Sequence, residues 1–243
     1  MHAAVGDRRL WDAQWEPFAQ RHRVVRYDAR GFGDSPLPDG PFSRADDLRA
    51  LLDHLHIERA AVVGNSMGAM TALDFALAHH RRAAALVLVG PAPMGPPSKA
   101  LETFNAREDA LLDEGRIDEA AELNVKIWLA PNADPGVRKH VAAMQRRAFE
   151  VQVAAYAREP GPRPSSRLEP PAADRLGEVA APTLVVVGDS DLEDVHAAAD
   201  RLVGGIPGAR KETIAGAAHL PGLERPEAFN RIVLAFLAGF GQS

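Results

Sequence analysis

The chain has 243 residues, 46% hydrophobic and 25% charged, with a formal net charge of −5 and no cysteine. Such a composition is that of an ordinary globular domain, its charge gives no reason to expect a nucleic acid or an anionic membrane as partner, and the missing thiols exclude a disulfide framework, a thiolate metal site and a cysteine nucleophile. No run of 18 apolar residues is present and His2 to Arg9 lack the apolar stretch of a signal peptide, so a cytoplasmic protein is expected.

Near the start, His2 to Asp7 look like a strand end running into a loop, and Trp11, Trp15 and Phe18 at helical spacing predict a short helix packed on the core. Arg23 to Asp28 read as a strand. The glycine-rich stretch Ala29 to Pro36 follows as a tight turn; its spacing is wrong for a phosphate-cradling loop, and no Gly-Lys-Ser/Thr follows. Ser43, with Asp46 three residues on, starts a helix that runs to about His56 with Leu48, Leu51, Leu52 and Leu55 on one face. His54 and His56 lie two apart, cannot share a helix face, and read as surface residues rather than a metal pair.

The stretch that organises the chain comes next. Ala60 to Val63 predict a buried strand that meets Gly64-Asn65-Ser66-Met67-Gly68, and a helix follows to His80 with Met70, Leu73 and Leu77 inward. Strand, Gly-x-Ser-x-Gly and helix in this order are the context of a nucleophile elbow, where a strained turn projects the serine oxygen from the sheet edge. Glycines at 64 and 68 remove side chains that would collide as strand and helix cross, and the helix N-terminus offers backbone N–H groups and a positive dipole end to an oxyanion. His79 and His80 fall in the last helical turn, where positive charge is favoured.

Leu86 to Gly90 are the next strand, ended by Pro91, Pro93, Pro96 and Pro97. From about Ser98 to Arg158 the pattern is helical, acidic in its first half and basic in its second, as solvated faces of amphipathic helices would be. Arg146 and Arg147 are also candidates for holding a substrate carboxylate. A proline-rich connector runs from Glu159 to Pro171. Alternation then resumes with a strand at Thr183–Val187, a helix at Val195–Leu202, a strand at Ala209–Ile214 and a helix at Pro226–Phe240. Strands alternating with helices imply an α/β fold with a mostly parallel sheet and helices on both faces.

A serine nucleophile needs a general base, and the base an orienting acid. Asp191 lies just past the strand at 183–187 and His219 just past the strand at 209–214, both at carboxyl ends of strands, the edge where Ser66 also sits. Asp189 and Asp194 are rival acids. These motifs, Tyr27-Asp28-x-Arg30-Gly31-Phe32-Gly33-x-Ser35, Gly64-Asn65-Ser66-Met67-Gly68, Gly188-x-x-Asp191 and His219-Leu220-x-x-Leu223-Glu224-Arg225-Pro226, resemble those of lid-bearing α/β-hydrolase-fold enzymes such as the 3-oxoadipate enol-lactonases and related carboxylesterases.

The resemblance spans nearly the whole chain. It implies a core of residues 1–90 and 175–243, a helical lid with its connector at 91–174, Ser66 as nucleophile, His219 as base and Asp191 as acid, with no cofactor and no metal. Serine at 66 argues against the related haloalkane dehalogenases and epoxide hydrolases, which use Asp there. The amides of Met67 and Ala4 are expected to bind the oxyanion, and Trp128 is a candidate wall for the substrate, with ordinary lid packing the plainer role. Family members begin with about thirty residues in three strands ending in a His-Gly motif. Here His2-Ala3 hold that place, so the fold is expected to be N-terminally truncated, with a gap between the strands at 23–28 and 60–63.

The expected activity is hydrolysis of a small carboxylic ester or lactone by a monomer or homodimer, with no nucleic-acid or membrane partner. The alternatives are carbon–carbon bond hydrolysis or perhydrolysis with the same residues, or a non-catalytic ligand-binding protein on this fold.

Overall fold

The computed structural model describes residues 1–158, 161–164 and 168–240. A short 3-10 turn at Arg8–Trp11 leads into α1 (Asp12–Ala19), then β1 (Gly40–Phe42), α2 (Arg44–His54), β2 (Ala60–Asn65), α3 (Met67–Ala78) and β3 (Ala83–Val89). Three helices follow without an intervening strand: α4 (Lys99–Asp113), α5 (Ile117–Trp128) and α6 (Pro135–Tyr156). The chain returns through β4 (Pro162–Pro164) to β5 (Thr183–Gly188), α7 (Glu193–Gly205), β6 (Arg210–Ile214), α8 (Pro221–Glu224) and α9 (Pro226–Leu237).

The main sheet has the order β2-β3-β5-β6, and every pairing is parallel. Its two central strands are buried on both faces, which is why they read as unbroken apolar runs. Val87, Val89, Leu184 and Val186 face one core with Trp11, Met144 and Phe229, while Leu86, Leu88, Val185 and Val187 face the other with Leu73, Phe75 and Leu202. Parallel pairing brings the carboxyl ends of β2, β5 and β6 to one edge, so the loops after Asn65, Gly188 and Ile214 open on the same side.

Several expectations change. Arg23–Asp28 form no strand, because no ladder pairs them with another strand among the described residues, and the end of the segment is held by side chains instead. Asp28 accepts from the backbone and guanidinium of Arg8, and Ser35 Oγ donates to the Asp28 carbonyl. On the free flank of β2, the Met1 amino group donates to the Val63 carbonyl and Asn65 N donates to the Met1 carbonyl at 3.1 Å. The small parallel pair β1–β4 is additional to the sequence reading. Trp11 and Phe18 are buried as expected, but Trp15 is 41% exposed with the Arg26 guanidinium 4.7 Å over its ring. α3 ends at Ala78, so His79 stands at its C-cap and His80 beyond it rather than in the last turn, and partial burial lowers the His79 imidazole pKa below its ordinary value. Of the proline-rich connector, residues 159–160 and 165–167 lie outside the described residues.

The α4–α6 insertion rests on the core along α6. Arg147 Nε donates to the Gly33 carbonyl at 3.3 Å, Gln152 Nε2 to the Gly31 carbonyl at 3.1 Å and Arg158 Nη2 to the Leu37 carbonyl at 3.1 Å. Arg146 pairs with Asp118 and Glu150, and Arg147 also approaches Glu150; both side chains are more than half exposed. Their charge is thus engaged at the surface by carboxylates of the insertion itself rather than by a substrate carboxylate.

Candidate active site

Ser66 sits between β2 and α3 with φ 53° and ψ −112°, a conformation that L residues rarely adopt. Such strain costs about 1–3 kcal/mol and persists only where the surroundings over-determine it. Here they do. Ser66 N donates to the Val89 carbonyl at 2.8 Å, and its carbonyl accepts from Ala69 N and Met70 N. The buried Asn65 amide donates to the carbonyls of Val89 and His219, each at 3.1 Å. A Cβ on Gly64 would collide with the Gly68 carbonyl, and one on Gly68 with the carbonyls of Met1 and His2. Both glycines therefore allow close backbone approach, the second against the N-terminal segment rather than the strand.

His219 and Asp191 meet at the same edge. The Asp191 carboxylate lies 2.9 Å (Oδ2) and 3.2 Å (Oδ1) from His219 Nδ1, with side chains 1% and 2% exposed. Asp191 Oδ1 also accepts from Leu192 N at 2.8 Å, which fixes its rotamer. The rival acids are occupied elsewhere: Asp189 accepts from Gly216 N at 2.9 Å, and Asp194 accepts from Ser98 N and Oγ at 2.7 and 2.6 Å. A Cβ on Gly188 would strike the carbonyls of Ala217 and Ala218, so only glycine lets β5 run this close to the loop that carries His219. With Nδ1 against a carboxylate, Nε2 is the ring nitrogen left to exchange a proton. No hydrogen bond joins Ser66 Oγ to His219 among the described residues.

Trp128, the last residue of α5, lies directly on the histidine. Its ring centroid is 4.4 Å from that of His219 with a 37° tilt, and its carbonyl accepts from His219 N at 3.1 Å. Its indole N–H donates to Asn124 Oδ1 at 3.1 Å, and Phe104 packs edge-on at 5.5 Å. Buried Glu224 completes the surroundings: Oε1 accepts from Ala218 N at 3.0 Å and Leu220 N at 3.2 Å, and Oε2 from Ala130 N at 2.8 Å. Burial raises its carboxyl pKa, opposed by these three N–H donors.

The two candidate oxyanion donors come from separate segments. Met67 opens α3, where a helix has N–H groups without intrahelical partners. Ala4 is exposed in a turn closed by Gly6 N donating to the Ala3 carbonyl at 3.1 Å. That turn is anchored by His2. Ala29 N donates to His2 Nε2 at 2.9 Å, which requires Nε2 to be unprotonated and leaves Nδ1–H to donate to the Ala3 carbonyl at 2.8 Å. Burial lowers the His2 imidazole to about 4, against a smaller raising effect of the Ala3 bond.

Sequence reasoning did not find the roles of Asn65, His2 and Glu224, although Asn65 and Glu224 lie inside the matched motifs. Among the described residues there is no group of three His, Asp or Glu side chains placed to hold a metal ion, and no helix long and apolar enough to cross a membrane.

A profile of the alpha/beta hydrolase family matches residues 1–232. A 2-hydroxy-6-oxononadienedioate/2-hydroxy-6-oxononatrienedioate hydrolase of Paraburkholderia xenovorans is 32% identical over 232 residues, covering 90% of this chain and 78% of that one. Among solved structures, a thermophilic esterase from Thermogutta terrifontis superposes with a TM-score of 0.82 at 28% identity, covering 99% of this chain and 89% of the other. The enol-lactonase from Burkholderia xenovorans superposes with a TM-score of 0.77 at 27% identity, covering 98% and 89%. The chain belongs to the alpha/beta hydrolase family and is a hydrolase of that fold.

Proposed function

We propose that the protein cleaves a small carboxylic ester or lactone through an acyl-Ser66 intermediate, with the α4–α6 insertion as a lid over the site. The observation that carries this reading is the buried Asp191 carboxylate at 2.9 Å from His219 Nδ1, on the sheet edge where Ser66 stands in its strained turn.

Ser66 Oγ attacks the substrate carbonyl carbon while its proton passes to His219 Nε2, and Asp191 holds the Nδ1–H tautomer and stabilises the imidazolium. The carbonyl oxygen becomes an oxyanion facing the amides of Met67 and Ala4. Each such donor contributes about 3–4 kcal/mol of transition-state stabilisation. Collapse expels the alkoxide, which takes the proton from His219. Water then attacks the acyl-serine, giving its proton to the same nitrogen, and the acid leaves as Ser66 is reprotonated. In a lactone, acid and alcohol stay in one molecule. Trp128, with its ring on the imidazole, serves as a wall of the site beside His219.

A second reading, cleavage of a carbon–carbon bond beside a ketone with the same residues, is favoured by the identity to the hydrolase of a hydroxy-oxo dioate. A panel of esters, lactones and vinylogous 1,5-diketones separates the two. A fluorophosphonate should label Ser66 alone, and Ser66→Ala should lose both labelling and turnover. Full turnover in Ser66→Ala would overturn the mechanism, and absence of labelling and turnover in the unaltered protein would favour a ligand-binding role.

A further inference from the structure

The backbone of His219 and of its two immediate neighbours is tied to three partners: Asn65, the exit of α5, and Glu224. The His219 carbonyl accepts from Asn65 Nδ2 and its N–H donates to the Trp128 carbonyl, each at 3.1 Å. The flanking N–H groups of Ala218 and Leu220 both donate to Glu224 Oε1, and the other Glu224 oxygen accepts from Ala130 N, two residues beyond Trp128. One carboxylate, 7% exposed, thus joins both neighbours of the histidine to the segment that presses an indole on its ring.

We propose that Glu224 is a positioning residue for His219, fixing the imidazole by tying its loop to the α5 exit at Ala130. The proposal rests on the reading of His219 as the base. Three features favour it over a merely structural part. The carboxylate spans two segments that are 94 and 4 to 6 residues away in sequence, so it determines their relative position and not only one turn. Its bonds fall on the residues immediately before and after the histidine, where a small backbone shift becomes a rotation of the ring. Its ionised form accepts from three N–H groups, and charge-assisted bonds of this kind are about twice as strong as neutral ones. The consequence is that the α5 exit is part of the mount that fixes the imidazole.

The test uses the full chain, a p-nitrophenyl ester as probe, and three variants. In Glu224→Gln the amide oxygen can still accept from Ala218 and Leu220, but its NH2 then faces the Ala130 N–H, so the link to the α5 exit alone is cut. In Glu224→Leu all three bonds go. Misplacement of a reacting group by about 1 Å costs up to about a hundredfold in rate. The expected result is a kcat loss of about tenfold or more in Glu224→Gln and a larger one in Glu224→Leu, with KM within about threefold of the starting value. If Glu224→Leu does not fold, the Glu224→Gln split of kcat against KM decides.

Two results overturn the proposal. If His219→Ala abolishes turnover while Glu224→Gln keeps kcat within about twofold, even with a lowered melting temperature, Glu224 is structural only and the base assignment stands. If His219→Ala leaves turnover unchanged, the base assignment itself fails and Glu224 has no base to position.

Discussion

Protonating His2 should unfasten the turn that carries Ala4. Its ring bridges the carbonyl of Ala3 and the N–H of Ala29, and the second of these bonds exists only while Nε2 is bare. Burial lowers the folded-state value from 6.5 to about 4. Because the folded value lies below the unfolded one, the unfolded chain takes up the proton first as pH falls. Stability contributed by this group is therefore full above pH 6.5 and lost progressively down to about pH 4. The interval corresponds to about 3 kcal/mol in total, of which about 2 kcal/mol falls between pH 7.5 and pH 5.

The perturbation is His2→Gln, whose side chain can accept from Ala29 N and donate to the Ala3 carbonyl without titrating. Urea unfolding of both proteins at pH 7.5 and pH 5 gives four free energies. Subtracting the pH change within each protein removes the fixed cost of the substitution and the titration of every other group. The unaltered protein should lose about 2 kcal/mol more than His2→Gln over that interval. Equal losses, within about 0.5 kcal/mol, would refute the assignment of the acid sensitivity to His2.

Asp191→Asn should lower kcat by about four orders of magnitude, because the amide supports the wrong tautomer of His219. Asp189→Asn and Asp194→Asn should stay within about tenfold in the same ester assay, and a reversal of that order would move the acid to one of them. Gly188→Ala places a methyl against the carbonyls of Ala217 and Ala218. It should cost about 1–3 kcal/mol in chemical denaturation, and an unchanged midpoint would show that the His219 loop yields without cost.

How much could be read beforehand depended on the range of the interaction. The elbow was legible because its determinants are local: an apolar strand, two glycines and a helix around Ser66. Leu86–Gly90 and Thr183–Val187 were legible because double burial leaves an unbroken apolar run. Arg23–Asp28 has the alternation of a strand, but a strand needs a neighbour, and composition does not say whether one is present. The pair β1–β4 joins short segments about 120 residues apart in register Gly40 to Pro162, with no local signal beyond their prolines and glycine. Asp191 was preferred over Asp189 and Asp194 through the motif resemblance alone, since the physical choice depends on how the turn after β5 is held. There Ser190 N donates to the Ala217 carbonyl, bringing that turn onto the histidine loop. Glu224 was visible as part of a motif, but its partners are backbone amides of other segments, which carry no residue-type signature.

Two side chains of α6, Arg147 and Gln152, and Arg158 just past its end, reach main-chain carbonyls of the core, those of Gly33, Gly31 and Leu37. A carbonyl is offered by every residue type, so none of these three acceptors is deleted by substitution while the turn keeps its shape; the Arg158 guanidinium also meets the Asp39 carboxylate, 3.2 Å away. These three contacts are thus chosen by side chains of the insertion, Arg147, Gln152 and Arg158, whereas Asp194 and Glu224 hold Ser98 and Ala130 from the core side. Along this stretch the core offers its backbone, and the insertion supplies the choice of side chain.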